Sequence, residues 1–107
     1  MEQAKGEILM KTAIIIGTVV ATRKDERLVG KKLMLIQPVN LNKKPIGEPL
    51  VAVDTVGAGI GEFVMFCTGT ASRNACNDPK APIDGAVIGI IDQVDIASKL
   101  EWDKGSE

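Results

Sequence analysis

Histidine and tyrosine are absent from this 107-residue sequence, and the other aromatics amount to one Trp and two Phe. A chain without histidine lacks the side chain that changes charge near neutral pH and most often ligates transition metals. Nucleophilic catalysis at Ser72 or Cys76 would need a lysine or a carboxylate as its base. Asp84, Asp92 and Asp95 supply carboxylates, but a barrel edge carries such groups routinely as solvated or salt-bridged charges. No catalytic residue, cofactor site or metal site is therefore expected, and the chain reads as a non-enzyme. An excess of positive charge is missing too: 13 Lys and Arg stand against 14 Asp and Glu, a net charge of −1. Nothing is left over to neutralise phosphates or anionic lipid, so neither nucleic acid nor a membrane is an expected partner.

Cysteine is scarce. Cys67 and Cys76 form no CxxC pair, which fits neither a zinc site nor a disulfide scaffold and makes a reducing cytoplasm the expected compartment. No apolar run approaches the ~20 residues that span a bilayer. The opening Met1-Glu2-Gln3-Ala4-Lys5-Gly6-Glu7 has acidic residues where a secretory signal is basic.

What the sequence does contain is 45% apolar residues, enough for the core of one domain at this length. Five runs rich in Val, Ile and Thr, bounded by Gly, Pro, Asn or charged clusters, predict strands over 13–22, 32–39, 50–54, 63–68 and 86–96. Between them lie a charged loop at Arg23-Lys24-Asp25-Glu26-Arg27, a turn cluster over 40–49, the loop Gly57-Ala58-Gly59-Ile60-Gly61, and a longer excursion over 69–85. Within the excursion Thr70 is placed to cap a short helix through Ala75. The segment 97–104, with the lone Trp102 as its anchor, predicts a second short helix, and no fixed structure is expected beyond Lys104. Short strands with little helix indicate an all-β protein: a small, mostly antiparallel, five-stranded barrel of the oligonucleotide/oligosaccharide-binding (OB) shape.

The strands carry more apolar residues than one barrel needs. A strand between core and water alternates, yet Ile14-Ile15-Ile16, Leu33-Met34-Leu35-Ile36, Phe63-Val64-Met65-Phe66 and Val87-Ile88-Gly89-Ile90-Ile91 are apolar on both faces. No long helix is available to cover the second face, and monomers rarely leave such patches bare. The expected cover is another copy of the chain in a cyclic homo-oligomer.

Two ligand-binding readings fail on context. Gly57-Ala58-Gly59-Ile60-Gly61-Glu62 begins like a dinucleotide fingerprint, but Glu62 replaces the last glycine and a β-rich run follows where a helix should hold a pyrophosphate. The glycines read instead as a tight connection between strands. Phe63 and Phe66 fall on opposite faces of a strand and cannot form one stacking platform for single-stranded nucleic acid. Lys24, Arg27, Lys31 and Lys32 flank Asp25 and Glu26 and read as a solvated hairpin end.

Several stretches in one order carry a resemblance. They are Ile16-Gly17-Thr18-Val19-Val20-Ala21-Thr22, Leu28-Val29-Gly30-Lys31-Lys32-Leu33, Pro49-Leu50-Val51-Ala52-Val53-Asp54-Thr55-Val56-Gly57-Ala58-Gly59-Ile60-Gly61-Glu62, Gly69-Thr70-Ala71-Ser72-Arg73, and Ala81-Pro82-Ile83-Asp84-Gly85-Ala86-Val87-Ile88-Gly89-Ile90-Ile91-Asp92. The chain resembles the pentameric vertex proteins of bacterial microcompartment shells, the EutN/CcmL/PduN family. The resemblance implies a five-stranded barrel that closes as a homopentamer and caps the corners of a polyhedral protein shell, among hexameric shell proteins. It places Gly57, Ala58, Gly59, Ile60, Gly61 and Glu62 near the five-fold axis. Ser72, Arg73, Ala81, Pro82, Ile83 and Asp84 become subunit or shell contacts. By this reading residues 1–9 are an N-terminal extension or precede an alternative start at Met10, 10–96 form the barrel domain, and 97–107 are a tail. The stretch 74–80 departs most from the family pattern. The competing class is a small oligomeric OB-like barrel that binds a small ligand or single-stranded nucleic acid, which saturable binding would distinguish.

Overall fold

The computed structural model describes residues 10–22, 25–76 and 83–97. Five strands, β1 (Met10–Val19), β2 (Leu33–Val39), β3 (Leu50–Asp54), β4 (Phe63–Thr68) and β5 (Gly85–Ile90), and one short helix, α1 (Thr70–Ala75), appear in that order, with α1 between β4 and β5. The strands close a barrel in the order β1-β2-β3-β5-β4. All neighbours are antiparallel except β3 and β5, which run parallel through Val53↔Ala86 and Asp54↔Val87. The long excursion between β4 and β5, with α1 in it, supplies the crossover that a parallel pair requires.

The bounds of β3 and β4 match those expected from the sequence and β2 begins one residue late, at Leu33, whereas β1 and β5 differ more. β1 begins at Met10, three residues before the expected position, because β4 supplies partners: Met10 faces Cys67 and Lys11 faces Phe66. It ends at Val19, opposite the first residue of β2, Leu33. β5 stops at Ile90, not Ile96, because its partner β4 begins at Phe63, whose carbonyl accepts the Ile91 amide at 2.8 Å; the chain beyond has no strand to pair with. Thr70 is the first helical residue and not the cap: Gly69 takes the N-cap position, with no side-chain cap bond. A 3-10 turn at Glu26–Leu28, capped by the Asp25 carboxylate, lies in the loop after β1. The second helix expected over 97–104 falls almost wholly outside the described residues.

Alternation along the strands builds the core. Ala13 and Ile15 of β1, Met34 and Ile36 of β2, Ala52 of β3, Val64 and Phe66 of β4 and Val87 of β5 meet in one cluster. Phe66 is inside it, while Phe63 is only partly buried and lies under the Lys43 ammonium, 5.0 Å from the ring centre. A register shift between Ile15 and Gly17 leaves Ile16 exposed on the outer face.

The second face is covered in two different ways. Over β2 and β3 the chain covers itself: Val53 packs under Ile83, with Leu28, Leu33 and Cys76 around it. Elsewhere Ile16, Val51, Met65 and Ile90 remain exposed at 37–46%.

Candidate functional site

The glycine loop is built from the end of β3. The Asp54 side chain is completely enclosed, and its two oxygens accept the amides of Val56 at 3.0 Å, Gly57 at 3.1 Å and Ala58 at 2.9 Å. This turn forces the chain back, so that Ala58 enters the core cluster. Lys32, expected in a solvated hairpin end, instead reaches across with its ammonium 3.7 Å from the Asp54 carboxylate and 3.5 Å from the Ala58 carbonyl. Gly57 and Gly61 have φ of +78° and +92°, left-handed values that a Cβ would strain. Gly59 has neither positive φ nor a crowded Cβ position, since the nearest atom there is Glu62 Oε1 at 3.7 Å.

Glu62 closes the loop. Its carboxylate accepts the Gly59 amide at 2.6 Å, and its own amide donates to the Gly59 carbonyl at 3.1 Å. Gly61 and Glu62 are stitched to β1: the Gly61 amide donates to Ile15 O at 2.8 Å, and the Ile15 amide donates to Glu62 O at 3.1 Å. The amides of Gly57, Ala58, Gly59, Gly61 and Glu62 are thus engaged within the chain, and the loop presents outward the Ile60 side chain, exposed at 65%. Such a surface suits close approach of another backbone better than acid–base chemistry.

The second group of predicted residues divides. Ser72 is fully buried, with its hydroxyl donating to Gly69 O at 2.6 Å, so it anchors the start of α1 and presents no atom to the surface. Arg73 reaches back, donating to Ile83 O at 3.2 Å and Thr70 Oγ1 at 3.3 Å. Ile83 is buried over Val53, and Asp84 is exposed, its carbonyl accepting the Gly69 amide at 3.1 Å. Ala81 and Pro82 lie outside the described residues. The two groups are linked through β3, where Val53 lies under Ile83 and its neighbour Asp54 holds the glycine loop.

Sequence reasoning missed Asp54 and Lys32. The available signal was an aspartate at a strand end followed by Thr-Val-Gly, the pattern of a side chain that accepts amides a few residues on. It also missed an outer groove of about 590 Å³ bordered by Leu41, Met65, Ile90, Ile91 and Val94. Among the described residues, no three His, Cys, Asp or Glu side chains are grouped to hold a metal ion, and no helix is long and apolar enough to cross a membrane.

The structure is that of a closed, OB-like five-stranded barrel with the aliphatic side chains Ile16, Val51, Met65 and Ile90 exposed on its outer face. Comparison with known proteins agrees. Residues 10–92 match the family described as "Ethanolamine utilisation protein EutN/carboxysome", and the chain belongs to this family. It is 40% identical over 95 residues to the carboxysome shell vertex protein CcmL of Synechocystis, covering 89% of this chain and 95% of that one. It is 35% identical over 95 residues to the bacterial microcompartment shell vertex protein EutN of Salmonella typhimurium, covering 89% and 96%. Among solved structures, the GrpN pentameric microcompartment shell protein from Rhodospirillum rubrum superposes with a TM-score of 0.72 at 41% identity, over 80% of this chain and 98% of that one.

Proposed function

We propose that this chain is a structural, non-enzymatic shell protein whose pentamers cap the vertices of a polyhedral bacterial microcompartment in the cytoplasm. The observation that carries the reading is the match, over nearly the whole of the other chain, to a solved shell protein that is itself pentameric. The exposed aliphatic side chains of the outer face, Ile16, Met65 and Ile90 among them, supply apolar surface for a neighbouring copy. Each such side chain, once covered, contributes ~1.5–3 kcal/mol at most. A head-to-tail contact closes into a ring when its rotation divides the circle, and about 72° per subunit is the five-fold solution.

The role is geometric. A flat layer of hexagonal tiles cannot enclose a volume without pentagonal corners, so a pentamer among hexameric shell proteins introduces curvature and seals the corner. The loop Gly57, Ala58, Gly59, Ile60, Gly61, Glu62 lies near the five-fold axis, and Arg73, Ile83 and Asp84 shape the rim. Ser72 contributes from inside, by fixing α1.

Native mass spectrometry and co-expression with hexameric shell proteins test this. The expected results are a five-subunit mass and closed shells. A Cβ at Gly59 meets Glu62 Oε1 at an ordinary 3.7 Å, and Gly59→Trp, with its fold checked by circular dichroism, is expected to block ring or shell closure. A monomeric protein at micromolar concentration, or an unchanged pentamer with normal sealed shells in Gly59→Trp, contradicts the assignment.

A further inference from the structure

The register of three strands brings the chain's two thiols, Cys67 and Cys76, to one covered patch of the outer face. Ala52 of β3, Phe66 of β4 and Val87 of β5 point into the core cluster. Their chain neighbours Val53, Cys67 and Ala86 therefore face outward, and all three are nevertheless buried. The pairings Cys67↔Ala86 and Val53↔Ala86 set them side by side in one row across the sheet. The excursion after β4 covers that row: the chain turns back at Gly69, and α1 packs over β4 and β5. Cys76, which caps the end of α1, rests against the Val53 and Ile83 pair.

Cys67 thus occupies one end of the row and Cys76 packs at the other, with the methyl of Ala86 between. Adjacent strands lie ~4.8 Å apart, so the row spans about 10 Å. The two thiols are near enough to act on each other: Cys76 adds to the burial that pushes the Cys67 thiol above its ordinary pKa. Access separates them, because Cys67 is closed to solvent and Cys76 is half-buried. The cover yields most easily at its end, since a six-residue helix with no side-chain cap bond has little stability of its own.

We propose that Cys67 and Cys76 form a reversible disulfide when the folded protein meets hydrogen peroxide, fastening the end of α1 to β4. A disulfide needs its Cα atoms about 4.4–6.8 Å apart, and the end of α1 reaches that distance by settling toward Ala86, the smallest side chain of the row. The Cys76 sulfur, which solvent reaches, attacks the peroxide: an S–O bond forms, the O–O bond breaks, and water leaves with the thiol proton. The Cys67 sulfur then attacks the sulfenic sulfur, the S–S bond forms, the S–O bond breaks, and the hydroxyl leaves as water with the Cys67 proton. Two thiols give up two electrons, and one peroxide becomes two waters. A dithiol reductant reverses the bond by exchange. The bond lies within one protomer and does not depend on the shell reading.

Mass spectrometry of the full chain, treated with peroxide in the folded state and kept unreduced, tests it. The expected product has lost two hydrogens, its tryptic peptides on the two sides of Arg73 are linked, and dithiothreitol separates them. Closing this loop constrains the unfolded chain, so the thermal midpoint should rise by at least ~5 °C on oxidation. Cys76→Ser should abolish both the link and the rise. A chain that stays unlinked overturns the proposal, as does a Cys76 that carries added oxygen without a bond to Cys67, or a link between two copies on a non-reducing denaturing gel. A lower midpoint after oxidation also overturns it, since the bond would then break the fold it is said to fasten. If Cys76→Ser does not fold, the peptide link and the midpoint of the wild-type protein decide by themselves.

Discussion

The amide of Ala58 donates to the Asp54 carboxylate at 2.9 Å, and this bond turns the chain from the end of β3 back into the barrel. Val56 and Gly57 donate to the same enclosed carboxylate. Asp54→Ala leaves these amides without their acceptor, and hydrogen bonds to a charged group contribute about 1.5–3 kcal/mol. The expected loss in urea unfolding at fixed protomer concentration is therefore about 2–3 kcal/mol, with Asp54→Asn intermediate because one oxygen remains. Lys32→Ala should change stability by less than ~1 kcal/mol, since its side chain is 56% exposed and the pair is screened by water. Equal losses in Asp54→Ala and Lys32→Ala would remove the carboxylate from its place as the organiser of the loop.

The three glycines of the loop are not equivalent. Gly57 and Gly61 hold φ of +78° and +92°, whereas Gly59 does not enter the left-handed region. An alanine in the left-handed conformation costs roughly 1–2 kcal/mol, so Gly57→Ala and Gly61→Ala should each lower the thermal midpoint by several degrees. Gly59→Ala should leave the midpoint within about a degree, because its Cβ would meet only Glu62 Oε1 at an ordinary 3.7 Å. Calorimetry of the three variants at one concentration separates conformational need at Gly57 and Gly61 from close approach at Gly59.

These contrasts mark what a sequence can and cannot display. β3 and β4 were legible to the residue because breakers flank them: Pro49 and the glycine loop around one, the loop and Gly69 around the other. The start of β1 was not, because Met10-Lys11-Thr12 is not a β-rich run and becomes strand only through pairing with Cys67, Phe66 and Met65. β5 read too long because Ile91, Val94 and Ile96 keep an apolar pattern after the partner strand has ended. The glycine loop was visible as glycines, but Asp54 was not visible as its anchor, since a strand-end aspartate usually faces water. Ser72 reads from the resemblance as a subunit or shell contact, and its burial arises from the closure of the chain around Gly69 and Asp84, a tertiary fact. The apolar second faces were legible as a surplus. That Ile83, Leu28 and Leu33 cover part of them within the same chain was not.

Cys67 gives the protein a pH-dependent stability at the alkaline end. Burial, reinforced by the nearby Cys76, pushes its thiol above the ordinary pKa. In the unfolded chain the thiol ionises near ~8.5, while in the folded chain it still holds its proton there. The unfolded state then binds fewer protons than the folded one, so stability is full below ~8.5 and falls as the pH rises above it, until the folded thiol ionises as well. Urea midpoints measured from about pH 7.5 to 9.5 should decline, and Cys67→Ala should flatten that decline. Parallel slopes in the two proteins would assign the alkaline loss to other groups.

β5 contains two glycines whose missing Cβ atoms face different neighbours. At Gly85 a Cβ would lie 3.1 Å from Leu50 Cδ1, the end of a side chain packed against the core cluster, with Ala52 Cβ at 3.5 Å and the Val51 carbonyl at 3.6 Å in ordinary contact. At Gly89 the neighbour within reach among the described residues is the end of Met65, 3.0 Å away, and Met65 is 37% exposed. Overpacking against a side chain held by the core costs about 1–3 kcal/mol, whereas an exposed methionine end adapts at little expense. Gly85→Ala should therefore destabilise the protomer by about 1–3 kcal/mol. It should also speed hydrogen exchange at Asp54 and Thr55, whose amides donate to Lys32 O and Val87 O beside the parallel β3–β5 pairing. Gly89→Ala should leave both stability and exchange near the wild-type values. The reverse order would mean that the barrel yields at the β3–β5 seam more readily than on its outer face, and that the parallel pair is not the rigid closure its hydrogen bonds describe.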